Sequence, residues 1–199
     1  MLWPTLIDLN RIITDFERVL RKTAGEESTV VLRLAGDLPT VLADRAQMEQ
    51  VLLNLALNAA DAMNLGGGTL TIETGVREFS SLYTSTRPDI AIALGHHVMM
   101  VVSDTGTGMT ADVLTHVFEP FYTTKPVSQG SGLGLSSVYG IVKQSGGYIW
   151  AYSEPGQGSV FKIYLPVPAR APTPAPAAET SAPSGGTETI LVRAGLPPA

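Results

Sequence analysis

Residues 50–63 read QVLLNLALNAADAM, and the fold turns on this stretch. With Met48 just upstream, Leu52, Leu55, Ala59 and Ala62 recur at 4-3-4-3 spacing, which makes one core-facing stripe of an α-helix. Asp44 is a good N-cap and Gly66-Gly67-Gly68 a natural stop, so the spacing predicts a helix from about 44 to 63. Asn54, Asn58 and Asp61 fall on a second stripe, on a different face. A solvated face would normally carry Lys, Glu or Gln, because Asn costs roughly 0.7 kcal/mol relative to Ala inside a helix. Two Asn one turn apart point to side chains kept for their amide oxygens, which suit a hard cation such as Mg²⁺. Taken alone, the stripe is equally well a chance polar face.

Working outward, residues 10–24 place Ile12, Ile13, Phe16, Val19 and Leu20 at helical spacing, and Gly25 ends that helix. Residues 28–34, 69–76 and 97–104 read as strands, with a turn at Asp37-Leu38-Pro39 and a polar hairpin excursion over 79–95. Glycine and proline punctuate 105–134; 135–146 then reads as a helix, and 148–154 with 159–165 as a hairpin across Pro155-Gly-Gln-Gly158.

The 199 residues suffice for one compact domain plus a tail, and 44% hydrophobic against 16% charged residues suits a globular fold. The net charge of -5, without a long Lys/Arg cluster, argues against nucleic acid as a partner. The absence of cysteine excludes a disulfide framework and a thiolate metal site. His96, His97 and His116 lack metal-ligand spacing. The start shows no signal-peptide pattern, and no run of about 18 apolar residues predicts a membrane span.

Three further segments carry chemistry. Asp104-Thr-Gly-Thr-Gly-Met109 closes an apolar strand with an acid able to accept a hydrogen bond from an amine, beside glycines that let backbone approach a flat ring. Gly130-Ser-Gly-Leu-Gly-Leu135 enters a helix at about Leu133, and clustered glycines at a helix N-terminus offer N–H groups to phosphate. It is neither a Rossmann nor a P-loop pattern. Between them, Phe118-Glu-Pro-Phe-Tyr-Thr-Thr-Lys125 joins aromatic anchors to a lysine able to pair with phosphate. Each segment alone is also an ordinary loop or turn.

The order of these pieces, completed by GQGSVF at 156–161, resembles the ATP-binding domain of sensor histidine kinases, which shares its fold with the gyrase, MutL and Hsp90-type ATPases. The likeness runs from about Asp8 to Leu165. It implies an α+β fold: a two-layer α/β sandwich, a mixed, mostly antiparallel sheet with helices on one face. By the resemblance Asn58 binds Mg²⁺, with Asn54 and Asp61 supporting the site, and Asp104 binds adenine with Gly106, Gly108 and Met109 beside it. Gly130, Ser131, Gly132, Leu133, Gly134 and Leu135 form the second glycine box, which contacts phosphates and anchors a mobile lid over about 110–131. Thr124 and Lys125 face the phosphates, Lys125 with a catalytic part alongside Asn54. Ser159 stands where the family usually has Thr, keeping the hydroxyl. The implied activity is transfer of the γ-phosphoryl group of ATP to a histidine on a separate helical phosphoacceptor domain, of the same or a sister protein, with a response-regulator receiver downstream. None of the three histidines stands in such an acceptor context.

Two rivals stay open. Hydrolytic relatives carry a Glu four residues before the metal Asn, where this chain has Asn54; the other rival is a nucleotide-binding module that signals without catalysis. The domain is expected at 1–166, and the Pro/Ala-rich 167–199 is expected to be an extended, disordered linker and tail. GTETILV (186–192) resembles the lead-in to a receiver domain of a hybrid kinase, but Arg193-Ala194-Gly195 departs from the acidic pair expected next. A cytoplasmic location is expected, in a parent protein that can be dimeric and membrane-tethered.

Overall fold

The computed structural model describes residues 4–63, 66–80, 92–125 and 131–168. The expected excursion over 79–95, Gly130 and the tail beyond Pro168 therefore lie wholly or mainly outside the described residues.

The elements are β1 (Thr5–Ile7), α1 (Leu9–Ala24), β2 (Ser28–Arg33), β3 (Val41–Ala43), α2 (Arg45–Met63), β4 (Gly68–Phe79), β5 (Gly95–Asp104), α3 (Ala111–His116), α4 (Gly134–Gln144), β6 (Tyr148–Glu154) and β7 (Gly158–Pro166). The main sheet has the order β2-β4-β5-β7-β6, with β2 parallel to β4 and every other pair antiparallel. This is the mixed, mostly antiparallel sheet expected, and α2 packs between α1 and α4.

The longer helix α2 starts at the cap expected for it, and α1 starts one residue ahead of the expected 10–24, on a cap at Asp8 that the sequence reading did not name. The Asp8 carboxylate accepts from the Arg11 N–H (3.2 Å), and Asp44 accepts from the Gln47 N–H (3.1 Å), each satisfying a free first-turn donor. Met48, Leu52, Leu55 and Ala59 of the expected stripe are buried, joined by Val51, Ala56 and Met63. Ala62 is only half-buried, and on α1 Val19 turns outward while Leu9 takes a place in the core.

On the sheet, strict alternation sends Leu70 and Ile72 of β4, Val98, Met100 and Val102 of β5, and Phe161, Ile163 and Leu165 of β7 into one core with the helices. That same alternation puts the last member of each row, Asp104, Ser159 and Ser153, side by side across three strands at the edge of the core. Two features went unread in the sequence. A ribbon of β1 on β3, three residues each, pairs Thr5 with Ala43 and Ile7 with Val41. The six-residue α3, capped by the Thr110 hydroxyl on the Val113 N–H (3.4 Å), lies inside the stretch read as mere punctuation.

Candidate functional site

Between α2, the turn after β5, α3 and the start of α4 lies a cleft of 460 Å³. It is lined by Asn54, Asn58, Asp61, Asp104, Gly108, Met109, Thr124, Lys125, Ser131, Gly132, Gly134, Leu135 and Ser159, all expected at the site. Gly106 and Leu133, also expected at the site, are not among the lining residues. Leu57, Ala62, Val113 and Val117 complete the wall and were not foreseen, together with Thr107, Tyr122, Thr123 and Phe161, which lay inside the quoted motifs without being given a role. For Phe161 a signal existed, the period-2 alternation of β7 that points it inward with Ile163 and Leu165. A second cleft of 390 Å³, around Leu42, Gln47, Gln144 and Pro166, gathers none of the motif residues.

One end of the cleft is a closed network. Asp104 is 8% exposed. Its Oδ1 accepts from the Gly106 N–H (2.8 Å), and the Ser159 N–H and hydroxyl also donate to it. Burial pushes the Asp104 carboxyl above the ordinary carboxylate range, with these three hydrogen bonds pulling the other way. The glycines of DTGTG are needed for close approach. A Cβ on Gly106 would come within 2.6 Å of the Ala62 Cβ, where the Thr107 N–H donates to the Ala62 carbonyl (3.0 Å). Gly108, at φ +66°, leaves room for the Glu154 carbonyl, and any Cβ there would collide with it.

The other end is less settled. Asn54 donates from Nδ2 to the Gly134 carbonyl (3.3 Å), tying α2 to the first turn of α4. Asn58 Nδ2 is buried and has no hydrogen-bond partner. Asn10 is the internal control. It donates to the Ala35 carbonyl (2.7 Å) and accepts from the Thr74 hydroxyl (2.7 Å), as a structural asparagine should. An unpaired buried amide costs about 1–3 kcal/mol; His97 Nε2 is the other such atom among the described residues, but of the two only Asn58 lines the cleft. Turned about χ2, that amide offers its oxygen instead. No group of three His, Asp or Glu among the described residues could hold a metal. Asn58 therefore fits Mg²⁺ as a single protein ligand, the rest of the shell coming from water and ligand oxygens. Lys125 Nζ forms an ion pair with Asp61 at this end. Gly132, at φ +67°, accepts from the Phe121 N–H (3.0 Å), whereas a Cβ on Gly134 would meet nothing nearer than the Asn58 amide at 4.0 Å.

The three histidines stand apart from the cleft lining. His97 is buried on β5, and His116 lies at a tilt against Tyr122 and pairs with Glu119 (2.8 Å), which raises its pKa.

A mixed sheet under one helical layer, with a glycine-bounded cleft joining a buried acid to an orphan amide, defines the nucleotide-binding fold of the histidine-kinase and gyrase type. The family model described as histidine kinase-, DNA gyrase B-, and HSP90-like ATPase matches residues 43–169. The chain belongs to that family. It is 43% identical over 166 residues to the sensor kinase CckA of Brucella abortus (strain 2308), a match covering 82% of this chain and 17% of that protein. It also matches the full-length structure of ShkA in complex with AMPPNP, at 28% identity and a TM-score of 0.61, over 83% of this chain and 31% of that one. The catalytic domain of the histidine kinase ThkA matches at 27% identity and a TM-score of 0.56, over 80% of this chain and 91% of that domain. The chain thus corresponds to a histidine kinase catalytic domain. It spans less than a third of the length of the curated sensor kinases it matches. Among the described residues no helix is long and apolar enough to cross a membrane.

Proposed function

We propose that this chain binds ATP with Mg²⁺ and donates the γ-phosphoryl group to a histidine on a helical phosphoacceptor domain, of the same or a sister protein, for onward passage to a receiver domain. The observation that carries the reading is that one cleft gathers an amine acceptor, Asp104, and an unsatisfied amide, Asn58, with glycine-rich backbone between them. Asp104 accepts from the adenine amine, and Gly108 and Met109 bound the ring. Asn58 would hold Mg²⁺, which would neutralise phosphate charge when bound. The backbone around Ser131, Gly132 and Gly134 cradles the phosphates at the N-terminus of α4. Lys125 exchanges its pairing with Asp61 for phosphate oxygens. Such a site works by positioning and charge neutralisation, leaving the nucleophile to the incoming domain.

The hydrolytic rival lacks a base. The carboxylates among the described lining residues are Asp104, at the opposite end from the phosphates, and Asp61, and neither occupies position 54, where hydrolytic relatives carry their Glu. Position 54 is an amide already donating to Gly134. The test is radiolabelled ATP with this chain alone and with a histidine-bearing helical domain added. Acid-labile label on the added domain, with slow turnover by the chain alone, is expected. Label on the chain itself, or rapid turnover without the partner, would contradict the reading.

A further inference from the structure

We infer that Ser153, a residue of β6 outside the cleft lining, is a positioning residue for the nucleotide base. The inference rests on the proposed binding of adenine at Asp104. Across β5, β7 and β6, Asp104 pairs with Ser159 and Ser159 with Ser153, so the three side chains stand in one row on the helix-facing side of the sheet. Ser153 Oγ lies 2.8 Å from the Met109 N–H, 2.8 Å from the Gly158 carbonyl and 3.2 Å from Ser159 Oγ.

Hydrogen accounting gives these contacts a direction. The Met109 N–H can only donate, so Ser153 oxygen accepts from it. The Ser153 proton then has two acceptors, the Gly158 carbonyl and the Ser159 oxygen. The Ser159 hydroxyl is in turn a donor to Asp104. With its proton on the nearer Gly158 carbonyl, the Ser153 oxygen holds the Met109 N–H and stands against the Ser159 hydroxyl, whose own proton is left for Asp104. Ser153 also acts on the backbone. The turn over 105–109 is held on the β6–β7 hairpin by the Gly156 N–H on the Thr107 carbonyl (2.7 Å) and by the Met109 N–H on Ser153. Loss of the Ser153 hydroxyl frees Met109, which bounds the base, and at the same time removes the oxygen that stands against the Ser159 hydroxyl beside Asp104. The base is then held by an acid whose supporting donor is no longer fixed.

A serine kept only to fill the hairpin would affect stability, but not the choice between bases. The experiment therefore compares ADP with inosine diphosphate, which lacks the amine, by calorimetry on the full chain and on Ser153→Ala and Ser153→Thr. Ser153→Ala is expected to weaken ADP about three- to tenfold, the span of one net hydrogen bond. Inosine diphosphate should change less than about twofold, so that discrimination falls. Ser153→Thr, which keeps the hydroxyl on a strand that accepts β-branching, should restore it. If Ser153→Ala does not fold, Ser153→Cys, a weak donor of similar shape, takes its place with the same outcomes. Unchanged discrimination in the hydroxyl-free variant, or failure of Ser153→Thr to restore it, overturns the inference while leaving ADP binding intact. No ADP binding by the unaltered chain overturns the inference together with the adenine reading on which it rests.

Discussion

The two ends of the cleft are built on opposite principles. At the Asp104 end the described polar groups answer one another: Gly106 and Ser159 donate to the acid, Ser153 takes up Met109, and glycines at 106, 108 and 158 bring backbone where no side chain would fit. At the Asn58 end an amide is buried without a partner, a lysine is held by a neighbouring aspartate, and Gly134 faces open space. The first end is complete before a ligand arrives. On the proposed function, the second has groups whose best partners are a ligand's phosphates and metal. A kinase has reason for the division, since the base is only held whereas the phosphates must be gripped, moved and released.

The sharpest break of this contrast compares glycines. Gly108→Ala forces a Cβ against the Glu154 carbonyl at positive φ and should cost roughly 2–4 kcal/mol by thermal denaturation. Gly134→Ala, with space around it, should cost less than about 0.5 kcal/mol while weakening triphosphate binding. Equal losses at both positions would erase the distinction between the ends.

Next in size is Asp104→Ala, expected to weaken ADP by about 1.5–3 kcal/mol, roughly ten- to a hundredfold, in calorimetry. The pH dependence has two opposed signs. Binding needs the ionised acid, so affinity should fall as pH drops through the raised Asp104 pKa. The folded, ligand-free protein holds that proton more tightly than the unfolded chain does. Asp104's contribution to stability is therefore full below the ordinary carboxylate pKa and is lost as pH rises through the raised value. Melting curves of the free protein and of Asp104→Asn across this acidic window should diverge accordingly.

Asn58→Ala should separate fold from function. Removing an orphan donor relieves a penalty of about 1–3 kcal/mol and should offset the lost packing, so the fold should not be destabilised. The gain in ATP affinity that Mg²⁺ confers on the unaltered chain should largely disappear. A variant that unfolds, or one that keeps its full magnesium dependence, would return Asn58 to the structural class of Asn10. The smallest effect belongs to Asp61→Asn. With Lys125 34% and Asp61 50% exposed, the pair contributes under about 0.5 kcal/mol to stability, and less at high salt, as denaturant titration at two ionic strengths can check.

Legibility in the sequence followed the range of the interactions. The two stripes of α2, the cap at Asp44 and the β6–β7 hairpin depend on neighbours a few residues away, and all were readable. The β1–β3 ribbon joins three-residue strands more than thirty positions apart, too short for any period to show. Helix α3 had a signal in its Thr110 cap, outweighed by the glycines and prolines around it. At the site, Asn58 and Asp104 were readable because amides on a helix face and an acid at a strand end are chemically out of place. Val113 and Val117 were not, because an apolar wall looks like any core residue until tertiary packing opens a cleft beside it. The pairing of Asp61 with Lys125 and the part of Ser153 likewise exist only once distant strands and turns meet.

Amide hydrogen exchange with and without Mg-ATP tests most directly whether one end is finished and the other waits. The N–H groups of Gly106 and Met109, bonded to Asp104 and Ser153, should already be slow without nucleotide and gain little from it. Those of Tyr122 to Lys125 and Ser131 to Leu135 should gain most of the protection. Gains at Gly106 and Met109 as large as those around Lys125 would mean that the Asp104 end is also assembled by its ligand, and the division between the two ends would fall.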